Sequence, residues 1–264
     1  MDISEHIDAL RLEGALLADA ASRAGLTAPV PTCPDWQVAD LLRHIGTVHR
    51  WAAAHPAKGL REPLALDGGS EPVGPVPSDA ALLDWYREGH AALVDTLVAA
   101  PADVVCWSFL PAPSPLAFWA RRQAHETAIH RLDADAAAGT EGPRADTDLA
   151  LDGVDELLRG FLVRPRSRLR SEEPRTVLVR ATDGPGAWRV TISQEPVVTV
   201  TADAPNDPVS RAEPAEPADL TIAGPAHELY PLLWNRVPAD RAGATTYTGD
   251  QDLLRLWRET AGIG

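Results

Sequence analysis

Four stretches of this chain repeat their apolar residues at helical spacing. All four fall in the first 140 residues, before the pattern changes to short β-branched runs. Residues 2–24 place Ile3, Ile7, Leu10 and Leu17 on one face and stop at Gly25, which predicts a first helix. Thr32-Cys33-Pro34-Asp35 predicts a turn with Asp35 as N-cap. The stripe Val38, Leu41, Leu42, Ile45, Val48 and Ala52 then marks a second helix running to about Pro56. Pro56 to Pro77 is rich in Pro and Gly and has no period. A loop of roughly 20 residues is long for a compact domain, and such loops often cover sites. Ser78 opens a third helix through Leu82, Tyr86, Leu93 and Leu97. Ser114 with Pro115 opens a fourth that reaches Ala138 and stops at Gly139.

Four long helices in succession argue for an up-down four-helix bundle. Beyond it, a helical stretch near Leu149 to Leu162 leads into Thr176 to Ala181, Ala187 to Ser193 and Val197 to Ala202. These runs are β-branched, separated by Asp-Gly-Pro-Gly and Glu-Pro turns, and predict antiparallel strands. Leu220-Thr221-Ile222 reads as a further strand, and Ala226 to Trp234 and Asp250 to Ala261 read as helices. The expected class is therefore α+β. Residues 1–145 form a bundle and residues 146–264 a smaller α+β domain with an antiparallel sheet.

Charge and cysteine content narrow the possible partners. The 24 basic against 38 acidic residues give a formal charge of −14, which disfavours nucleic acid and anionic membrane surfaces. No apolar run approaches the roughly 20 residues of a membrane span, and Met1-Asp2-Ile3-Ser4-Glu5 lacks the basic start of a signal peptide. The expectation is a soluble cytoplasmic protein, a monomer or small homo-oligomer. Cys33 and Cys106 are too few for a disulfide scaffold or a thiolate-only metal site, and both read as packed residues.

The chemistry concentrates in Phe118-Trp119-Ala120-Arg121-Arg122-Gln123-Ala124-His125-Glu126-Thr127-Ala128-Ile129-His130-Arg131-Leu132-Asp133. Glu126 and His130 are four residues apart, so they lie about 40° from each other on a helix, one turn apart, where both can grip one ion. Trp119 and Asp133 share that face, with Phe118 and Ile129 beside it. A carboxylate and an imidazole turned inward need a partner, and a divalent metal is one. His44, at the edge of the second helix's apolar stripe, supplies a third donor. His44, Glu126 and His130 would then form a two-histidine, one-carboxylate site with an open position. Spacing alone also fits a solvated helix pair or a buried hydrogen bond, so both readings stand at this point. His6, His49, His55, His90, His125 and His227 show no convergence and read as surface or capping residues. Arg121-Arg122 reads as a solvated face, with contact from Arg122 to an anionic ligand as the alternative. Trp36, Trp51, Trp85 and Trp119 read as bundle packing.

Thr32-Cys33-Pro34-Asp35-Trp36-Gln37-Val38-Ala39-Asp40-Leu41-Leu42-Arg43-His44-Ile45, followed about 80 residues later by the segment around Glu126, resembles the mycothiol-dependent maleylpyruvate isomerase family. The N-terminal part of that family belongs to the DinB-like metal-binding bundles. The resemblance implies that His44, Glu126 and His130 bind a divalent metal, most often zinc. Leu229-Tyr230-Pro231-Leu232-Leu233-Trp234-Asn235-Arg236 is similar to the family's C-terminal helix, which implies that Arg236 handles a substrate carboxylate. Asn235 stands where a glycine is common. Arg61 lies in the loop that carries a further family arginine but matches no motif.

The function implied is metal-dependent thiol chemistry with mycothiol as cosubstrate. A thiolate would add to an activated electrophile, as in cis-trans isomerisation of maleylpyruvate-like acids. The alternatives are a mycothiol S-transferase, a metal-dependent hydrolase and a non-catalytic ligand-binding or regulatory module. The expected partners are a small-molecule substrate and a low-molecular-weight thiol.

Overall fold

The computed structural model describes residues 1–66, 73–201 and 217–263. The chain forms two compact units, Met1–Pro143 and Arg144–Gly264.

The first unit holds α1 (Ile3–Ala24), α2 (Val38–Lys58), α3 (Asp79–Ala99) and α4 (Pro115–Ala137). Helix α1 starts on a capping box in which the Asp2 carboxylate accepts from the Glu5 N–H at 2.9 Å. The Glu5 carboxylate accepts in return from the Asp2 N–H at 2.6 Å. Helix α4 starts on Ser114, whose hydroxyl oxygen accepts from the Ala117 N–H at 3.1 Å, with Pro115 at the first helical position.

The start of α2 differs from expectation. Asp35 is not its cap: it sits at φ 71°, in the left-handed region that Asp tolerates, and turns the chain instead. The turn is pinned by backbone hydrogen bonds from Val30 to the Trp36 carbonyl and from Val38 to the Ala28 carbonyl. Helical geometry therefore begins only after Gln37, whose N–H donates to the Asp40 carboxylate at 3.0 Å. At the other end α2 runs through Pro56 to Lys58.

The helix directions explain the long loop. His6 meets His125 with ring centroids 6.0 Å apart, and Glu13 meets Arg131 at 2.7 Å, so α1 and α4 run in the same direction. Arg43 pairs with Asp79, Arg50 stacks over Trp85 at 3.9 Å and His49 faces His90, so α2 and α3 are parallel to each other. Trp51 against Trp119 and His44 against His130 make α2 and α4 antiparallel. The order is up-down-down-up rather than the expected up-down alternation, because α2 and α3 pack in parallel. Parallel neighbours force the connection between α2 and α3 to span a helix of about 30 Å, which residues 59–78 are long enough to do. Where α2 and α3 touch, a Cβ at Gly46 would sit 2.3 Å from the Trp85 ring, so only glycine allows this approach.

The second unit opens with α5 (Thr147–Asp155), capped by Asp146 and continued by one π-helical turn over Glu156–Phe161. Strands β1 (Arg175–Ala181), β2 (Ala187–Ile192), β3 (Val198–Thr201), β4 (Leu220–Gly224) and β5 (Thr246–Gly249) form one sheet ordered β3-β2-β1-β4-β5. The expected antiparallel meander is β1 to β3, whereas β4 pairs with β1 in parallel. The expected third strand extended to Ala202, which lies outside the described residues. Strand β5 was not anticipated, because its four residues are short and mostly exposed and carry no apolar alternation. Helix α6 (Ala226–Leu233) packs on α5, and α7 (Asp252–Thr260) closes the unit. Val177, Val179, Val190, Ile192, Leu220 and Ile222 line the buried sheet face. The indoles of Trp188, Trp234 and Trp257 donate to the Asp155 carboxylate and to the Gly153 and Leu233 carbonyls, so each buried N–H is satisfied. Among the described residues, no helix is long and apolar enough to cross a membrane.

Candidate metal centre

Antiparallel packing of α2 on α4 brings His44, Glu126 and His130 together. Glu126 Oε1 lies 3.5 Å from His44 Nε2 and 3.5 Å from His130 Nε2, and one donor atom from each residue lies within 4.8 Å of the other two. Donors about 2.0–2.1 Å from a tetrahedral zinc stand about 3.3 Å apart, so the spacing suits a small divalent ion. Two imidazoles and a carboxylate are also the donor chemistry such an ion prefers.

Two of the donors are aimed by a neighbour. His130 Nδ1 donates to Asp133 Oδ2 at 2.8 Å, which leaves Nε2 as the free face of the ring. Asp133 is fully buried and also accepts from the Thr32 hydroxyl at 2.6 Å and the Cys33 thiol at 3.5 Å. It thereby ties α4 to the turn that precedes α2. Arg122 Nη2 donates to Glu126 Oε2 at 3.0 Å. Trp36 lies nearly parallel to the His130 ring at 6.3 Å and tilted on His44 at 5.1 Å, walling one side. His44 and Glu126 keep 34% and 25% of their side-chain surface, so the centre is reachable from solvent.

The electrostatics match this geometry. Burial alone would raise the Glu126 carboxyl, but hydrogen bonds from His130 and His44 and the Arg122 charge outweigh it and hold the group well below the usual carboxylate range. Burial would lower His130, but Asp133 and Glu126 prevail and push it up to about 9. In the metal-free protein the centre therefore holds an imidazolium beside a carboxylate. A cation entering it takes the place of that proton.

Several residues stand where the sequence did not put them. His6, His49, His55 and His125 are buried and His90 is half-buried, correcting their reading as surface or capping residues. They pack inside the bundle because other polar groups meet them there. His49 Nε2 bonds the Thr127 hydroxyl at 2.9 Å, His55 Nδ1 the Trp51 carbonyl at 2.9 Å and His90 Nε2 the Leu10 carbonyl at 2.9 Å. Arg122 is 2% exposed rather than on a solvated face, because its partner Glu126 also lies inward. Arg122 and Asp133 are the supporting residues the motif alone did not single out. Their signal was present, since they stand four residues before Glu126 and three after His130 on the same helix face. Cys106 is buried and Cys33 half-buried. Trp119 is fully buried, its indole donating to the Trp107 carbonyl at 2.9 Å.

In the second unit, Arg236 follows α6 and donates from Nη1 to the Trp234 carbonyl at 3.0 Å. Asn235 before it has φ 60°. This left-handed conformation explains why glycine suits the position and why Asn, which also tolerates it, can replace glycine. Arg61 is exposed in the first unit.

Residues 7–135 match the mycothiol maleylpyruvate isomerase N-terminal domain, and residues 148–256 match the C-terminal domain of the same family. The fold is similar to the crystal structure of a mycothiol-dependent maleylpyruvate isomerase, with 12% identity, a TM-score of 0.59, and 94% of this chain and 93% of that one covered. A mutant of the mycothiol-dependent maleylpyruvate isomerase gives the same identity and coverage with a TM-score of 0.61. No curated protein matches the chain.

Proposed function

The chain belongs to the mycothiol maleylpyruvate isomerase family, and from that premise we propose that it is a metal-dependent enzyme using mycothiol to isomerise a maleylpyruvate-like unsaturated acid. The observation that carries this reading is the convergence of His44 Nε2, Glu126 Oε1 and His130 Nε2, with a solvent-reachable side left for a fourth donor. His44, Glu126 and His130 would hold the ion, most readily zinc. A divalent ion bound there supplies a Lewis acid that keeps a thiol ionised at neutral pH.

The chain's own residues divide the remaining work. Asp133 keeps the His130 ring in the tautomer that presents Nε2, and Trp36 shields one side from water. Arg236 is the proposed anchor for a substrate carboxylate. The mycothiol thiolate forms a C–S bond to one carbon of the cis double bond, and the displaced π electrons move to the conjugated carbonyl as an enolate. Rotation about the new single bond follows. Return of the electron pair then breaks the C–S bond, releasing the trans acid and the thiolate unchanged. S-transfer shares the first half of this sequence and keeps the adduct.

One experiment separates these outcomes. Metal content is measured on purified protein, and the zinc-loaded protein is assayed with mycothiol and maleylpyruvate beside a panel of electrophiles, with His44→Ala as control. About one equivalent of divalent metal with turnover of maleylpyruvate supports isomerisation, whereas stable thiol adducts from the panel select transfer. Absence of stoichiometric metal in the wild type sinks both.

A further inference from the structure

We propose that Arg122 is a positioning residue that holds Glu126 to a single ligating oxygen and so keeps one coordination position open for the incoming thiol. The inference rests on the metal-centre reading above and concerns which atoms of that centre are available. The two oxygens of Glu126 have different surroundings. Oε1 faces both Nε2 donors at 3.5 Å, while Oε2 accepts from Arg122 Nη2 at 3.0 Å. The Arg122 side chain is only 3% exposed and sits one helical turn before Glu126, so it has little freedom to follow the carboxylate elsewhere.

A carboxylate binds a divalent ion through one oxygen or both. Turning Oε2 onto the ion would break a charge-assisted hydrogen bond from a deeply buried guanidinium, where a weakened ion pair is most costly. Arg122 therefore favours the one-oxygen mode. With two imidazole nitrogens and one carboxylate oxygen, a tetrahedral ion has one place left. With both oxygens engaged, that place is filled by Glu126 itself. A positive charge beside a cation site does not serve metal retention, whereas the Arg122 contact to Oε2 does act on the carboxylate's mode of binding.

The test uses the full chain loaded with Co²⁺ and titrated with 2-mercaptoethanol, following the thiolate-to-cobalt charge-transfer band. Arg122→Met is expected to retain one equivalent of Co²⁺ but to bind the thiol at least tenfold more weakly. Arg122→Lys, which preserves a donor for Oε2, is expected to remain within threefold of wild type. Unchanged thiol affinity in Arg122→Met overturns the proposal, as does equal loss in both variants. Should Arg122→Met fail to fold or to hold cobalt, X-ray absorption on the zinc-loaded wild type decides. One carboxylate oxygen at about 2.0–2.2 Å with an exogenous fourth donor supports the proposal, and two glutamate oxygens overturn it. A wild type that takes up no Co²⁺ or Zn²⁺ refutes the metal-centre reading instead, so the two failures are distinguishable.

Discussion

Each unit of the molecule holds an arginine between two carboxylates, and the two triads differ in almost everything but composition. In the bundle, Arg131 reaches Glu13 at 2.7 Å and Asp135 at 2.9 Å, and all three side chains are 6% exposed or less. In the second unit, Arg175 meets Asp219 and Asp250 with 29–39% of each side chain in solvent. The contrast extends beyond these residues. Of the fourteen buried polar or charged residues among those described, twelve lie in the bundle, and only Glu156 and Thr245 lie in the second unit. One unit is organised around interior charge and imidazole, the other around an apolar sheet face. Interior polar groups of this density destabilise a fold unless they are mutually satisfied, and their arrangement here ends at a three-donor centre.

The sharpest way to break the comparison is to remove a ligand from each proposed functional set. His44→Ala or Glu126→Ala should lower turnover by about 10³-fold, about 4 kcal/mol of barrier, with loss of bound metal and no loss of helicity. Arg236→Ala should cost less, about 1.5–3 kcal/mol in kcat/KM, the scale of one hydrogen bond to a charged group, and should leave metal content intact. Steady-state kinetics beside metal analysis reads both. Equal metal loss in the two variants would erase the distinction between the units.

The triads give the next effect. Arg131→Met strands Glu13 in the interior and leaves Asp135 only Arg23 at 3.6 Å, and urea unfolding should show a loss of about 3–5 kcal/mol. Arg175→Met should move the midpoint no more than an ordinary surface substitution. Comparable losses would mean that burial is not what separates the triads.

The response to pH should divide the units as well. Burial holds His49, His55 and His90 below the ordinary histidine value of 6.5, so the unfolded chain binds protons that the folded bundle refuses. Stability is then lost as pH falls below 6.5. His130 has the opposite sign in the metal-free protein. Its raised value of about 9 gives stability that is complete below 6.5 and lost as pH rises through 9. The metal-free bundle should therefore be most stable near pH 6.5. In the second unit, Asp219 and Asp250 are held below the ordinary value of 3.8, and their contribution persists until pH falls through that range. Hydrogen exchange between pH 5.5 and 7.5, corrected for intrinsic rates, should show α2 and α3, which carry His49, His55 and His90, loosening at the lower pH while β1 and β2 do not.

The sequence disclosed these regions unequally. Helical stripes and the i, i+4 pair Glu126 and His130 are properties of one helix, so they were legible without coordinates. The contribution of His44 required a second helix to arrive in antiparallel register, and the residue pattern could only suggest it. Helix direction was not legible at all. Apolar stripes look the same for a helix running up or down, so the long segment after α2 read as a cover rather than as a crossover between parallel neighbours. The buried histidines were misplaced for a related reason: a lone His on a stripe carries no mark of the Thr127 hydroxyl or Leu10 carbonyl that satisfies it. In the second unit, β-branched runs between turn residues revealed β1 and β2, while β5 is stabilised by its register on β4 rather than by its own pattern.

The smallest predicted effect tests how the backbone presents the proposed functional side chains in the two units. Asp35, ahead of the helix that carries His44, and Asn235, immediately before Arg236, are the non-glycine residues with positive φ among those described, at 71° and 60°. Left-handed backbone costs most L-residues roughly 1–2 kcal/mol, and Asn and Asp less. Asn235→Ala should therefore destabilise the chain by about 1 kcal/mol, while Asn235→Gly should stay within about 0.5 kcal/mol, losing only the long 3.5 Å contact to the Arg258 carbonyl. Kinetics adds what stability cannot. If Asn235 serves to present Arg236, Asn235→Ala should raise KM for the acid and Asn235→Gly should restore it, with the metal centre unaffected in both. A rise in KM with Asn235→Gly as large as with Asn235→Ala would show that the Asn side chain, rather than the backbone turn, matters for Arg236.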